Sequence, residues 1–100
     1  KIVAGELPSK KEYEDENVVV IHDIHPQALT HLLIINRQHI PEFSEITDFE
    51  IWTKMAKVAQ ELIKKLGLTG YRLVNNGKGA ALVDHLHLHL LAGVAPDRAV

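Results

Sequence analysis

Three histidines alternate with leucines near the end of the chain, in the stretch DHLHLHLL at residues 84–91. Side chains of a β-strand point alternately to opposite faces, so this period predicts a strand with His85, His87 and His89 on one face. The leucines would lie on the other face, against the core. Imidazoles in a row need hydrogen-bond partners or a ligand. The stretch therefore predicts an active or binding surface on a half-buried sheet.

Zinc binding is one chemistry that fits three histidines, because neutral imidazole is a common zinc ligand. Alternate residues of an extended strand lie roughly 6.5 to 7 Å apart. Nitrogens on one zinc ion lie only roughly 3 Å apart, given bonds of about 2 Å. A site made of all three histidines would need a bent strand. Zinc is therefore kept as an alternative, and no cofactor is expected to be required.

Attack on phosphorus is the second chemistry, since imidazole, with an ordinary pKa of about 6.5, is a nucleophile without prior deprotonation. The central His87 would attack, its other nitrogen donating to an acceptor such as a backbone carbonyl. Protonated His89 would bind a phosphate oxygen or protonate a departing amine. The glycine-rich turn at residues 75–79 could supply backbone N–H groups to phosphate oxygens.

Asp23 follows a hydrophobic run and has two interpretations. Its carboxylate could accept hydrogen bonds from both ribose hydroxyls of a nucleoside, or it could simply begin a turn. Ile21, Ile24 and Leu33 could form an apolar slot for a base, with plain core packing as the alternative. These residues together predict a nucleoside site only because the histidines lie in the same chain.

His31 shares the face of a predicted strand with Leu33 and Ile35, so we expect it to be partly buried. It is either a satisfied core histidine or a residue that supports the other histidines. His25 and His39 fall in predicted loops and are assigned no role.

The elements that position these residues follow from periodicity and turn residues. Strands are predicted at residues 12–16, 18–21, 30–36, 71–74 and in the histidine stretch. A long helix is predicted from the capping-box spacing of Thr47 and Glu50 to Gly67, with a helical turn within residues 1–11. The apolar stripe of the long helix comprises Ile51, Met55, Val58, Ala59, Leu62 and Leu66. This is an α+β fold: an about five-stranded, mainly antiparallel sheet with one long and one short helix.

Composition limits the function classes. One hundred residues fit a single domain. The formal net charge of −2 predicts no general attraction to nucleic acid or to an anionic membrane. No apolar run approaches the roughly 20 residues of a membrane span. The chain has no cysteine, which suits a cytoplasmic protein, and a cytoplasmic location is our expectation.

The sequence HLHLHLL at residues 85–91 resembles the H-φ-H-φ-H-φ-φ motif of the histidine-triad (HIT) family. Further similar segments cover nearly the whole chain and resemble the Hint branch, the purine nucleoside phosphoramidases. His89 separates the chain from the transferase branch, which has Gln there. The compact length and the stretch HDIHPQA favour Hint over the dinucleoside-polyphosphate hydrolases. The similar segments are KIVAGELPS (1–9), VIHDI (20–24), PQA (26–28), His31, GYRLV (70–74) and LLAG (90–93).

The resemblance implies a single HIT domain over residues 1–100, a homodimer, and hydrolysis of the P–N bond of AMP-amine or AMP-lysine type substrates. The position of His87 would form a nucleotidyl-histidine intermediate that water hydrolyses. The position of His89 contacts phosphate and leaving group, and His85 and His31 support the nucleophile. The expected partners are purine nucleoside monophosphate derivatives. The positions that bind ribose, phosphate and base are Asp23, Asn76, Ile21, His22, Ile24 and Leu33.

The loop before the histidines departs from the family pattern. The family usually has a longer loop ending in Gly-Gln followed by Ser, Thr or Glu, whereas this chain reads GAALVDH at residues 79–85. Ala81 and Leu82 stand where Gln and the hydroxyl or acid residue are expected, which leaves the backbone N–H of Leu82 as the phosphate contact. Losing the side-chain contact would weaken the transition state by roughly 1.5 to 3 kcal/mol, about ten- to a hundredfold in rate. Two alternatives stay open: a nucleotide-binding or protein-interaction module with weakened catalysis, and a dinucleoside polyphosphate hydrolase.

Overall fold

The computed structural model describes residues 10–97, which form one open antiparallel sheet with a long helix on one face. The sheet has the spatial order β1-β2-β3-β5-β4, and every neighbouring pair is antiparallel. This confirms the α+β class, the five strands and the long helix. The elements are β1 (Lys11–Glu14), β2 (Val18–His22), β3 (Thr30–Asn36), a 3-10 turn (Phe43–Glu45), α1 (Glu50–Leu66), β4 (Arg72–Val74) and β5 (His87–Ala92).

The strand boundaries follow the sequence closely except at β5. The bounds of β3 are those expected from its run of branched apolar residues. β5 begins at His87, two positions after the first histidine of the alternating stretch. The backbone N–H of His85 instead donates to the carbonyl of Val83, and that of Leu86 donates to the carbonyl of Ile40. Residues 83–86 therefore form a bend that bonds to the segment after β3.

The start of α1 differs from the predicted capping box of Thr47 and Glu50. The residue before the helix is Phe49, which caps nothing with its side chain, and Asp48 Oδ1 accepts the N–H of Glu50 at 3.0 Å. A carboxylate next to the first turn favours the helix N-terminus, so Asp48 takes the part assigned to Thr47. The helix ends at Gly67 in the left-handed conformation (φ 63°), as predicted. No helix among residues 10–97 is long and apolar enough to cross a bilayer.

The main core lies between α1 and the sheet face that carries the leucines of β5. Leu88 and Leu90 are buried there together with Leu86, which directly precedes β5, opposite Met55 and Leu62 of the helix. Each such side chain contributes roughly 1.5 to 3 kcal/mol when fully buried. Of the predicted helix stripe, only Leu66 is exposed. The alternation that placed the leucines toward the helix is thus confirmed, and the histidine face of the sheet points the other way.

The short helix predicted within residues 1–11 concerns residues that lie, up to Ser9, outside the described part of the chain. A short 3-10 turn forms instead after β3, in the segment expected to be a linker. Its Phe43 ring contacts the Trp52 ring of α1 at a centroid distance of 4.9 Å. Aromatic pairs of this edge-to-face kind stabilise local packing, so Trp52 joins this turn to the helix.

Candidate active site

The pairing of β3 with β5 places histidines from both strands on the sheet face opposite α1. Leu33 pairs with His89 and Ile35 with His87, while His31 pairs with Leu91. Alternate residues of a strand share a face, so His31 lies on the same face as Leu33 and Ile35. This is the face of the histidines of β5, which pair with those two residues. The ring centroids of His31 and His89 are 5.1 Å apart, and those of His87 and His89 are 5.0 Å apart. Three imidazoles thus form one continuous group.

His87 is held in a single tautomer by the backbone. Its Nδ1 lies 2.7 Å from the carbonyl oxygen of His85. A carbonyl only accepts hydrogen bonds, so Nδ1 carries the proton and donates it. The Nε2 atom of neutral His87 then has its lone pair available. A nucleophilic imidazole requires this arrangement.

His89 accepts a hydrogen bond from His31, and the direction of this bond follows from Gln27. The backbone N–H of Gln27 donates to His31 Nδ1 at 3.0 Å, so the proton of neutral His31 is on Nε2. That Nε2–H lies 2.9 Å from His89 Nδ1 and donates to it. Neutral His89 consequently carries its own proton on Nε2. His31 is only 5% exposed, so it is a buried residue that also fixes the tautomer of His89.

Burial shapes the acid–base properties of this pair. Desolvation lowers the pKa of His31, and the carboxylate of Asp23 partly opposes that effect. The pKa of His89 is also lowered, first by burial and then by the neighbouring His87 and His31, again with Asp23 opposing. Charged imidazoles are disfavoured where water is excluded. Without an anionic ligand, the neutral forms of both residues are therefore favoured over the protonated forms.

Asp23 initiates the turn after β2, one of the two interpretations of its sequence position, and ribose binding stays a prediction. Its Oδ1 accepts the backbone N–H of His25 at 2.7 Å, which is a turn-initiating contact. Its Oδ2 lies 3.5 Å from His31 Nε2. The carboxylate thus borders the histidine group. A ribose hydroxyl bound to Asp23 would lie next to His31 and His89.

His85 connects the histidine strand to the end of β3. Its Nε2 lies 2.5 Å from the backbone oxygen of Asn36 and donates to it. The remaining nitrogen, Nδ1, accepts from His39 Nδ1 at 3.1 Å. The ring of His85 therefore anchors the residue whose carbonyl orients His87. His39, assigned no role from the sequence, is part of this site, and its separation of 46 residues from His85 left no local signal.

The residues predicted to hold a purine base divide into two groups. Ile21 is buried on the histidine face with Val19 and Ile35, and Leu33 packs against that cluster. Ile24 is 67% exposed in the loop after β2. His22 is turned to a different partner, with its Nε2 2.9 Å from Glu12 Oε1. Ile21 and Leu33 thus lie on the face of the histidines, whereas Ile24 is exposed in the loop and His22 contacts Glu12 of β1.

The two asparagines after β4 have different surroundings. Asn75 Nδ2 donates to the backbone oxygen of His87 at 2.9 Å, and so ties the turn to the histidine strand. Asn76, the residue expected to contact ribose or phosphate, is half-buried next to it. Asn75 was missed because adjacent identical residues in a turn give no sequence signal that tells them apart.

The glycine-rich turn uses several of its own N–H groups. The N–H groups of Ala80 and Ala81 donate to the carbonyl of Gly77, and that of Lys78 donates to Glu42 Oε1 at 3.3 Å. The pKa of Glu42 is lowered, chiefly by its hydrogen bond with Ser44. The side chain of Leu82 is fully exposed. In this arrangement the turn folds on itself, and the predicted phosphate contact by the N–H of Leu82 stays a prediction.

One compact set of metal-donor atoms lies among residues 10–97. Donor atoms of Asp23, His31 and His89 all lie within 4.8 Å of one another. A metal on His31 Nε2 would require the proton of that ring on Nδ1, which faces the N–H donor of Gln27. Metal-binding histidines normally direct their second nitrogen to an acceptor. In the tautomer that this bond selects, His31 Nε2 carries a proton and offers no lone pair to a metal ion, and the zinc alternative stays a prediction.

The comparisons with known proteins agree with this geometry. The HIT domain model matches residues 4–95. An uncharacterized HIT-like protein of Methanocaldococcus jannaschii is 40% identical over 100% of this chain and 81% of its own length. Two solved structures cover 100% of the chain and 92% of their own: a histidine triad protein from Clostridium difficile (35% identity, TM-score 0.91) and a HIT family hydrolase from Clostridium thermocellum (42% identity, TM-score 0.90). With the histidine group on the expected sheet face, the chain belongs to the HIT domain family.

Proposed function

We propose that this protein is a nucleotide hydrolase of the Hint type that cleaves the P–N bond of purine nucleoside phosphoramidates. The observation that carries the proposal is the hydrogen bond from His87 Nδ1 to the carbonyl of His85, 2.7 Å long, with the His89 ring 5.0 Å away. This pairing supplies a nucleophile of fixed tautomer and a proton donor beside it.

The substrate would lie along the histidine face. Its purine would contact Ile21 and Leu33, with Ile24 at the edge, and its ribose hydroxyls would donate to Asp23. The phosphate would then lie against His87 and His89. The negative charge of the phosphate favours protonated His89, which opposes the effect of burial on the pKa of that residue.

In the first step the lone pair of His87 Nε2 forms a bond to phosphorus, and the P–N bond of the substrate breaks. The departing nitrogen keeps the bonding electron pair and takes the Nε2 proton of His89, so a neutral amine leaves. The ring of His87 is then positively charged, and its Nδ1–H donates to the carbonyl of His85. A hydrogen bond to a charged group contributes roughly 1.5 to 3 kcal/mol, or about ten- to a hundredfold in rate.

In the second step a water oxygen attacks the same phosphorus. Neutral His89, whose remaining proton is now on Nδ1, accepts a proton from that water at Nε2, and the bond between phosphorus and His87 Nε2 breaks. The products are the nucleoside monophosphate and an enzyme ready for another cycle, with His87 neutral and His89 protonated. The two steps together consume one phosphoramidate and one water.

The second candidate is a nucleotide-binding or protein-interaction module with weakened catalysis. Its specific support is the turn at residues 77–82, where N–H groups are used internally and a fully exposed leucine replaces the polar residue of the family pattern. Such a protein would bind AMP without turning over a phosphoramidate. A dinucleoside polyphosphate hydrolase, the remaining alternative, would prefer diadenosine polyphosphates over AMP amides.

The deciding experiment compares wild type with His87→Asn and His87→Gly on an AMP phosphoramidate of a fluorescent amine. We expect both variants to lose turnover while AMP affinity, measured by calorimetry, is largely kept. His25→Ala is the matched control, because it removes an exposed imidazole that has no part in the mechanism. Turnover at the wild-type rate in His87→Gly would exclude the mechanism. Wild type that binds AMP but cleaves nothing would favour the binding module.

We also propose a homodimer, on the resemblance alone, and a cytoplasmic location, as expected from the sequence. Sedimentation velocity over a range of concentrations measures the first. Fractionation of cells that express the tagged full-length protein measures the second.

A further inference from the structure

His31 Nε2–H has two acceptors within reach. His89 Nδ1 lies 2.9 Å away and Asp23 Oδ2 lies 3.5 Å away. Since the Gln27 N–H occupies His31 Nδ1, His31 cannot move its proton to the other nitrogen without losing that bond. The proton of neutral His31 therefore remains on Nε2. It can be donated either to His89 Nδ1 or to Asp23 Oδ2.

Which of the two acceptors receives the His31 N–H depends on the protonation state of His89. In the protein without substrate, neutral His89 has a lone pair on Nδ1 and accepts the His31 N–H. Protonated His89 carries hydrogen on both nitrogens and accepts nothing, so two N–H groups would face each other at 2.9 Å. The His31 N–H then needs the carboxylate of Asp23. Asp23 stabilises the protonated state in two ways: as an acceptor for His31 and as a negative charge near His89.

We propose that Asp23, acting through the shared Nε2–H of His31, controls whether His89 carries the proton given to the leaving group. This inference deepens the proposed function. It gives the residue expected to bind ribose a second task in leaving-group protonation. Asp23 and His31 are in this respect positioning residues, while His89 is the acid.

The other polar groups around His89 do not offer the same switch. From its own strand His87 faces it, and from β3 only His31 does. On the β4 side the residue paired with His89 is Val74, and Arg72 lies two pairs further along, opposite Leu91. The loop after β2 contributes Asp23. Asp23 is therefore the anionic group that faces this histidine pair among the described residues.

The direct test is a ¹⁵N NMR titration of the imidazoles in protein without substrate. In wild type we expect His31 to remain the Nε2–H tautomer while His89 takes up a proton. Asp23→Asn removes the charge with little change in shape, and should lower the titration midpoint of His89 by about one pH unit, as loss of a nearby opposite charge does. Asp23→Glu should restore most of that shift. Glu16→Gln, an exposed position with the same change in charge, should leave the midpoint unchanged.

An unshifted His89 midpoint in Asp23→Asn, or an Nδ1–H tautomer of His31 in wild type, would overturn the inference. Neither observation depends on turnover. A shifted midpoint in a protein that cleaves no phosphoramidate would refute the proposed function and leave the coupling intact. The two failures are thus distinguishable.

Kinetics separate this task from ribose binding. A phosphoramidate with a strongly basic amine needs a proton from His89, whereas an AMP ester of p-nitrophenol leaves without one. We expect Asp23→Asn to raise KM for both substrates and to lower kcat about tenfold for the amine substrate alone, with the falling limb of its pH profile moved to lower pH. An equal loss of kcat for both substrates would contradict control of the acid.

Discussion

His87 Nδ1 lies 2.7 Å from the carbonyl oxygen of His85, two residues before it in the chain. The carbonyl accepts the Nδ1 proton of His87 and so determines that Nε2 is the nitrogen free to attack. The carbonyl is itself held through the ring of its own residue, which donates to the backbone of Asn36. The nucleophile thus depends on contacts made by the first histidine of the series.

Replacing His85 tests that dependence. His85→Ala removes the bond to Asn36 and leaves the bend at residues 83–86 without its anchor, so we expect kcat to fall about tenfold, the effect of roughly 1.4 kcal/mol. His85→Gln keeps a side-chain N–H donor and should recover part of the loss. Steady-state kinetics on an AMP phosphoramidate give both values. Equal kcat in wild type and His85→Ala would show that the carbonyl is positioned without the ring.

His39 should have a smaller effect of the same kind. Its Nδ1 donates to His85 Nδ1, and a single exposed hydrogen bond contributes about 1 kcal/mol, so His39→Ala should lower kcat about fivefold with little change in KM. His39→Gln, which offers a side-chain N–H, should lie between. The ¹⁵N shifts of His85 report its tautomer independently. An unchanged tautomer together with unchanged kcat would remove His39 from the site.

The face assignments could be predicted because a strand has a period of two residues. That period separated the leucines of β5 from its histidines, and the branched residues of β3 set the bounds of that strand. The boundary of β5 could not be predicted, since the bend before it depends on the Ile40 carbonyl, which lies far away in sequence. Propensity describes local preferences, whereas such a bond depends on the assembled sheet.

The site contacts that the sequence did not predict are also long-range or backbone contacts. His31 was expected to be buried on a strand face, but its hydrogen bond with His89 joins residues 58 positions apart. The bond from the Gln27 N–H involves the backbone and leaves no trace in residue type. Asn75 and Asn76 are chemically identical, so only the folded turn decides which one reaches His87.

Stability should depend on pH through the buried histidines. Burial is the main cause that lowers the pKa of both His31 and His89 below the ordinary value of 6.5. The unfolded chain then binds more protons than the folded one at mildly acidic pH, so unfolding free energy decreases as pH falls from about 6.5. Urea denaturation between pH 7.5 and 5 measures this. The variant His31→Gln should show a shallower dependence, and an identical slope would contradict the assignment.

Asn75 and Asn76 form a matched pair for the turn. Asn75→Ala removes the bond to the carbonyl of His87 and should cost about 1 kcal/mol of unfolding free energy, together with a several-fold loss of kcat. Asn76→Ala should have a much smaller effect on stability and instead raise KM, as expected of a residue that contacts substrate. Thermal unfolding and kinetics on both variants decide. The opposite order of stability losses would mean that the turn is held by Asn76.

Leu82 tests whether the departure from the family loop limits catalysis. Leu82→Ser places a hydroxyl where the family pattern has one. Because the side chain of Leu82 is fully exposed, the substitution should change the free energy of unfolding little. We expect kcat/KM for an AMP phosphoramidate to rise about tenfold, the lower end of what one charge-assisted contact contributes. Val83→Ser is the control, because it changes a neighbouring exposed apolar residue in the same way. An equal rise in both variants would point to a general loss of exposed apolar surface, and no rise in either would mean that the shorter loop keeps residue 82 away from the phosphate.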